Sequence, residues 1–352
     1  MKRFFLFFTF IALIVAGCTS DYTVLESIGS ISLTADKSST QAGELITFTV
    51  INSNGENITE SSTIYVDNQP IEGNTFTSET YTTHEVKASY AGLESNSVTI
   101  NFHDGSETNF VKRVLIEDYT GTWCGYCPRV AHAIELVKAQ TDEPNHTAVA
   151  VSIHRPSSNP NSLNYDPYNY DTSQLEALLS TAGYPKGYLN RMTLWQSPEP
   201  NNLNQAIALT QGENPKLGLA MTSSVNNGNI ALDVNVKFSK DFEGLKLVVY
   251  ILENGLIYEQ HNYTDYYGGV DVIEDFEHNH VLRQCITPLL GEAINGVTTT
   301  GETYTKTFNV AVPANVENAA NLEFVAFIVD GNGNAINVRS AKPDETQEFE
   351  EI

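Results

Sequence analysis

Asp118-Tyr119-Thr120-Gly121-Thr122-Trp123-Cys124-Gly125-Tyr126-Cys127-Pro128 decides the reading of this chain. It stands where Val111 to Tyr119, with the texture of a buried strand, hands over to a run from Cys124 to Ala139. In that run Val130, Ile134 and Val137 recur at intervals of three and four, as on one face of a helix. Two cysteines separated by two residues at the first turn of a helix can approach closely enough to form a disulfide. Unpaired N–H groups and the positive end of the helix dipole favour a negative charge there, so a thiol pKa near 8.5 can fall to about 7 or lower. Because the thiolate is the attacking species in exchange, Cys124 is the expected nucleophile and Cys127, one turn deeper, the resolving thiol. Trp123 is expected to cap the pair with an apolar surface, and Pro128 costs little so early in a helix.

Working outward, Thr147 to Ile153 reads as a second apolar strand. Ser173 to Ala182 reads as a second helix with Leu175, Leu178 and Leu179 inside, and Asn202 to Gln211 as a last one. Strand and helix in alternation predict an α/β domain over residues 105–215 with a mostly parallel sheet. On the amino-terminal side, residues 30–104 alternate apolar and polar in short runs: Ile31/Leu33, Ile46/Phe48/Val50, Ile64/Val66, Val86/Ala88/Tyr90 and Val98/Ile100/Phe102. Period two with turn clusters between predicts a β-sandwich resembling the immunoglobulin-like modules of bacterial surface proteins, serving as a spacer. From 216 to 345 the period returns to two, in Ile230/Leu232/Val234/Val236, Leu245/Leu247/Val249 and Phe308/Val310/Val312, and predicts a second all-β sandwich. Asp330-Gly331-Asn332-Gly333-Asn334 imitates the start of a calcium loop but lacks its later glycine and acid, so a hairpin turn is expected.

Trp-Cys-Gly-Xaa-Cys after an apolar strand resembles thioredoxin and its envelope relatives, which makes the expected chain a mixed multidomain one with a thioredoxin-like α/β domain between two all-β sandwiches. The resemblance implies further roles. Asp118, six residues before Cys124, matches the buried acid that relays a proton to and from the resolving cysteine, and parity puts it on one face with Val114 and Ile116, while Glu117 faces the other side. Tyr184-Pro185, after the second helix, matches the cis-proline opposite the disulfide, where the preceding backbone binds substrate as an added strand. The long loop from His154 to Asp171 follows a parallel strand's carboxyl end, so His154 and Arg155 are expected to border Cys124 and shape access to it. A wider resemblance is to the Omp28-related outer membrane lipoproteins of the Bacteroidetes. It rests on Leu115 to Pro128, on Gly183-Tyr184-Pro185 with Leu189-Asn190-Arg191, and more faintly on His278-Asn279-His280-Val281-Leu282-Arg283.

The chain opens Met1-Lys2-Arg3, followed by an apolar run, Phe4 to Ala16, too short to span a bilayer, which needs about 20 residues. Residues 1–17 therefore read as a signal peptide. Val15-Ala16-Gly17-Cys18 resembles a bacterial lipobox, implying diacylation of Cys18, a tether over 18–29 and, with Thr19 next, an outer-membrane anchor facing the periplasm or the cell surface. The 352 residues carry a net charge of −24, which excludes nucleic acid as a partner and a basic patch for anionic lipid. With Cys18 assigned to lipid, Cys124, Cys127 and Cys285 are too few for a disulfide-stapled scaffold. Cys285 is expected to be a buried apolar thiol, no cofactor or metal is implied, and exported protein thiols or disulfides are the expected partners. Two other readings compete with a redox enzyme. One is half a zinc site completed by His278 and His280, which the redox context and the place of those histidines in a different domain disfavour, so both are expected to be surface or hydrogen-bonded structural residues. The other is a non-catalytic envelope binding or structural lipoprotein whose disulfide is merely structural.

Overall fold

The strand β10, Val114–Thr120, is buried along its whole length, polar residues included, and the carboxy-terminal three-quarters of the molecule is assembled around it. The computed structural model describes residues 28–106, 108–141, 147–296 and 298–352. The expected leader and the Cys18 lipidation site lie outside the described residues, as does most of the tether.

In the amino-terminal part the alternation becomes two sheets around one core. The strands β1 (Ile31–Ala35), β3 (Ile46–Asn52) and β6 (Thr75–Phe76) form the first sheet. The second holds β2 (Ser39–Gln41), β4 (Thr63–Val66), β5 (Gln69–Pro70), β7 (Thr83–Tyr90), β8 (Leu93–Glu94) and β9 (Val98–His103). Ile31, Leu33, Ile46, Phe48 and Val50 from one sheet meet Ile64, Val66, Val86, Ala88, Ile100 and Phe102 from the other, the same residues that the period of two puts inside.

Beyond residue 110 the dominant feature is a nine-stranded sheet. Its main path runs β13 (Thr193–Leu194), β12 (Lys186–Leu189), β10, β11 (Ala148–His154), β19 (Val281–Cys285), β16 (Lys246–Glu253), β22 (Leu322–Val329) and β23 (Ala335–Ala341), with β20 (Glu292–Ala293) beside β16. This sheet crosses the expected boundary at 215/216. β11 pairs in parallel with β10 on one side and with β19, at Ser152 and Val281, on the other. The physical reason lies in β16, whose residues from Leu247 to Glu253 are all buried. A strand that is apolar on both faces belongs in the middle of a sheet covered on both sides, whereas the period read from Leu245, Leu247 and Val249 describes only one of its faces.

One face of the long sheet is covered in two places. The helix α1 (Pro128–Thr141) sets Val130, Ala133, Ile134 and Val137 on Val114, Ile116, Ala148 and Ala150. Farther along, the three-stranded sheet of β14 (Leu217–Asn226), β15 (Asn229–Phe238) and β21 (Thr303–Ala311) packs its apolar side on Leu247, Val249, Ile251, Phe324, Ala326 and Ile328. Two sheets thus face each other where a separate second sandwich is expected, but one of them is the far end of the central sheet. The hairpin β17 (Leu256–His261) and β18 (Val272–His278) forms a separate two-stranded sheet. Asp330 to Asn334 is the expected hairpin turn, between β22 and β23, with Asp330 N donating to Asn334 O at 2.9 Å.

The helices are shorter than their periodicity suggests. The second, α2, covers only Ser173–Glu176, and Leu178 is exposed, because Thr181 N and Ser180 Oγ meet the Tyr188 hydroxyl, each at 3.2 Å, in place of a continuing helical ladder. The last, α3 (Leu203–Ile207), ends in a 3-10 turn, Ala208–Thr210.

Candidate active site

The two cysteines precede α1 rather than lying inside it. Cys124 N donates to Gly121 O at 3.0 Å and Cys127 N to Cys124 O at 3.1 Å, two tight turns that leave Pro128 as the first helical residue. Their Cα atoms are 5.4 Å apart and the sulfurs are bonded as a disulfide. Both are buried, Cys124 at 5% exposure and Cys127 at 1%.

Asp118 occupies the place that strand parity gives it. It is 2% exposed, and its Oδ1 is buried without a hydrogen-bond partner. Burial holds its carboxyl well above the ordinary carboxylate range; the nearby Glu199 pushes the same way and Arg129 opposes. Glu199 is itself buried and bound to Arg129, Nε to Oε2 at 2.6 Å. Asp118 and Cys127 line one cavity of about 360 Å³ between α1 and the strands β10, β11 and β18.

Trp123, half-buried, donates its indole N–H to Arg155 O at 2.6 Å and meets the Tyr184 ring edge-on at 5.9 Å. The Tyr184-Pro185 peptide is cis, as the resemblance implies, and so are Arg155-Pro156 and Ser197-Pro198. Behind this aromatic pair Glu176 is a hub. It accepts from Tyr184 Oη at 2.7 Å, Lys186 Nζ at 3.1 Å, Arg155 Nε at 2.9 Å and Thr172 Oγ1 at 3.1 Å. Burial and the bond to Glu176 push the Tyr184 phenol up to about 12. In Glu176 itself burial works upward, but Tyr184 and Lys186 outweigh it and hold the carboxyl below its usual range. Arg155 thus borders the disulfide loop through its carbonyl while its guanidinium secures the Tyr184 side.

His154 lies deeper, 1% exposed, with Nδ1 2.9 Å from Asp166 Oδ2. That carboxylate also accepts from Thr122 N at 2.8 Å and Tyr168 N at 2.9 Å, so the loop after β11 is tied directly to the loop that carries Cys124. Burial would raise the Asp166 carboxyl, but His154 and these donors prevail and hold it low. No local pattern singles out Asp166, which looks like any acid in a polar loop.

Two features come from the part of the chain where no site was expected. First, the β17–β18 hairpin lies over the cysteine loop. The buried Gln260 amide donates to Gly121 O, Thr122 O and Cys124 O at 3.2, 3.1 and 3.1 Å. Tyr263 N donates to Gly125 O at 2.6 Å and its ring meets Tyr126 edge-on at 5.7 Å, both rings being largely exposed. Secondly, His278, expected as a surface or structural residue in a different domain, lines the cavity of Cys127 and Asp118, its ring centroid 5.1 Å from that of His154. Parallel pairing of β19 with β11 brings it there. The one signal for it in the sequence is the His278–Arg283 segment of the family resemblance. His280 Nδ1 is 2.8 Å from Glu323 Oε2 and its Nε2 2.9 Å from Lys138 Nζ. Among the described residues no group of three or more His, Cys, Asp or Glu could hold a metal ion. Cys285 is half-buried rather than fully buried, its thiol 3.1 Å from Thr287 O.

The arrangement sets one disulfide in a cavity beside a carboxyl whose pKa burial raises. Comparison with known proteins places the chain among outer membrane proteins. It belongs to the Omp28 outer membrane protein family, whose pattern matches residues 172–347, half of its length. Among the described residues no helix is long and apolar enough to cross a membrane. No curated protein matches the chain. Among solved structures it is similar to HBP35 of Porphyromonas gingivalis, with 19% identity, 68% of this chain and 77% of that one covered, and a TM-score of 0.49. It is also similar to a crystal structure of a protein from Agrobacterium tumefaciens, with 14% identity, 68% and 97% covered, and a TM-score of 0.42. Both likenesses are distant.

Proposed function

We propose that this protein is a thiol–disulfide oxidoreductase of the outer membrane that acts on exported proteins through Cys124 and Cys127, carried in a thioredoxin-like arrangement and anchored by lipid on Cys18. The observation that carries this reading is the partnerless, buried Asp118 carboxyl in the same cavity as Cys127. A purely structural disulfide has no use for a buried acid of raised proton affinity behind it, whereas a resolving thiol at 1% exposure needs a nearby group to take its proton.

In the reducing direction the Cys124 thiolate attacks a substrate disulfide and expels one substrate thiolate, which leaves a mixed disulfide. Asp118, in its carboxylate form at this stage, takes the proton of Cys127, and the resulting Cys127 thiolate attacks Cys124 Sγ. The Cys124–substrate bond breaks, the second substrate thiolate departs, and two electrons have passed from the dithiol to the substrate. The oxidising direction reverses each step. Trp123 and Tyr184 supply the apolar surface beside the sulfurs, and the backbone before Pro185 offers an edge for an extended substrate segment.

A second reading, an envelope binding or structural lipoprotein with a structural disulfide, is favoured by one observation: Cys124 is 5% exposed beneath the Gln260 hairpin. Cys127→Ala separates the two in cells. An oxidoreductase accumulates partners trapped on Cys124 and released by reductant. A structural protein traps none, and its disulfide resists reduction to potentials below about −300 mV.

A further inference from the structure

The wall of the cavity opposite α1 is the hairpin strand β18, and what it contributes there is His278, at 4% exposure. Its ring bonds the Tyr258 backbone, and Nε2 has no partner, so the bond runs through Nδ1. An imidazole whose Nδ1–H is given to a carbonyl carries its lone pair on Nε2. Burial, and next the neighbouring His154, lower this histidine to about 3, which keeps that lone pair free at neutral pH. The cavity therefore holds two buried polar atoms without partners, and they are complementary: an oxygen of a carboxyl whose proton affinity burial raises and a nitrogen that accepts a hydrogen bond. A space of about 360 Å³ with polar groups on both sides has room for bridging water.

We propose that His278 relays the proton that Asp118 exchanges with Cys127, joining that carboxyl through cavity water to the solvent. This deepens the oxidoreductase reading and rests on it. When Cys127 resolves the mixed disulfide, its proton goes to Asp118. The next reduction of the Cys124–Cys127 bond returns a proton to Cys127, and between turns the carboxyl equilibrates with solvent. The same cavity is lined by His280 and Lys138, whose side chains are 2.9 Å apart and only half-buried, and by Glu135 and Glu277, which are exposed. Against the ring pack His154, which also lines the cavity and is bound to Asp166, and Tyr168, at centroid distances of 5.1 and 5.4 Å. His278 acts through Asp118, as a positioning and relay residue.

The test uses the full-length protein in single turnover, following release of glutathione from a Cys124–glutathione mixed disulfide as a function of pH. His278→Ala is expected to slow resolution at least tenfold at pH 7, to alter its pH profile, and to regain rate on addition of imidazole. In an Asp118→Asn background the same change is expected to have no further effect. His278→Gln keeps a donor for the Tyr258 backbone without a base, so it is expected to be as slow as His278→Ala with an unchanged melting temperature. If the wild type releases glutathione and both variants match its rate and pH profile, the relay is wrong while the oxidoreductase reading stands. Slowing without change of profile and without imidazole rescue marks a structural role and also overturns it. If the wild type itself fails to release glutathione, the enzyme reading fails and takes the relay with it.

Discussion

The side-chain amide of Gln260 sits 3.1 Å from the carbonyl oxygen of Cys124, so a residue 136 positions downstream holds the loop that carries the disulfide. The same nitrogen reaches Gly121 O and Thr122 O. Gln260→Ala leaves buried carbonyls short of a donor, at about 1–3 kcal/mol. Urea unfolding is expected to report that loss, and thiol titration to report faster reduction of Cys124–Cys127 by dithiothreitol. An unchanged reduction rate would mean that the hairpin does not limit access to the sulfurs.

Gly125 reaches the same conclusion from the other side. A Cβ placed on it would stand 2.3 Å from the Tyr263 ring, a clash that something must relieve. Gly125→Ala is expected to push the tip of the hairpin away and raise the reactivity of the disulfide toward small reductants. With Tyr263→Ala added, the obstruction is gone and the alanine at 125 should cost no further stability. Non-additive unfolding energies from the four proteins of this cycle are the measurement.

Asp118 and His278 predict opposite pH signatures. The folded-state pKa of Asp118 is raised, so its contribution is fully present below about 3.8 and is lost as pH rises toward the folded value. His278 is depressed from 6.5 to about 3, so its contribution is present above 6.5 and lost as pH falls through that window. Each can tilt the stability curve by up to about 1.4 kcal/mol per pH unit. Asp118→Asn is expected to flatten the alkaline side and His278→Gln the acid side, read from melting temperature against pH. A curve unmoved by either change would contradict the burial of both groups.

Glu176→Gln removes a carboxylate that faces Lys186, which is only 4% exposed, together with Arg155 and Tyr184. Breaking a buried pair from one side costs about 3–5 kcal/mol. Thermal unfolding should report a loss of that order, and Trp123 fluorescence should change as the Tyr184 ring against it is released. A loss below about 1 kcal/mol would show that the lysine finds water without moving the loop.

What the sequence makes legible is what depends on neighbours. Period two marks the inward residues of the amino-terminal sheets, because alternate side chains of a strand share a face wherever it ends up. Parity alone orients Asp118 toward the cavity. Glu117, on the opposite face, is equally buried and accepts from Tyr250 Oη at 3.0 Å, which parity does not reveal. The helix α2 fails because a tyrosine hydroxyl seven residues away in sequence takes the backbone N–H of Thr181. His278 and Gln260 are illegible for a different reason. They reach the cysteines only because β19 inserts beside β11, and a parallel pairing across 129 positions leaves no mark on the local pattern of either strand. The faint His278–Arg283 match to the family is the trace of that pairing, and reading it as a separate domain hides its use.

The continuity of the long sheet bears on how this protein can be cut and still fold. A fragment ending near residue 215 would keep every residue expected of the redox unit, yet β11 would lose its neighbour and present bare amides along one margin. The cysteine loop would also lose the amide that steadies it. Such a piece has the exposed, apolar strand margin from which aggregates grow. The recombinant form suited to dissecting its chemistry runs from the first residue of β10's lead-in to the carboxyl terminus, and trimming belongs at the amino-terminal sheets, whose core is their own.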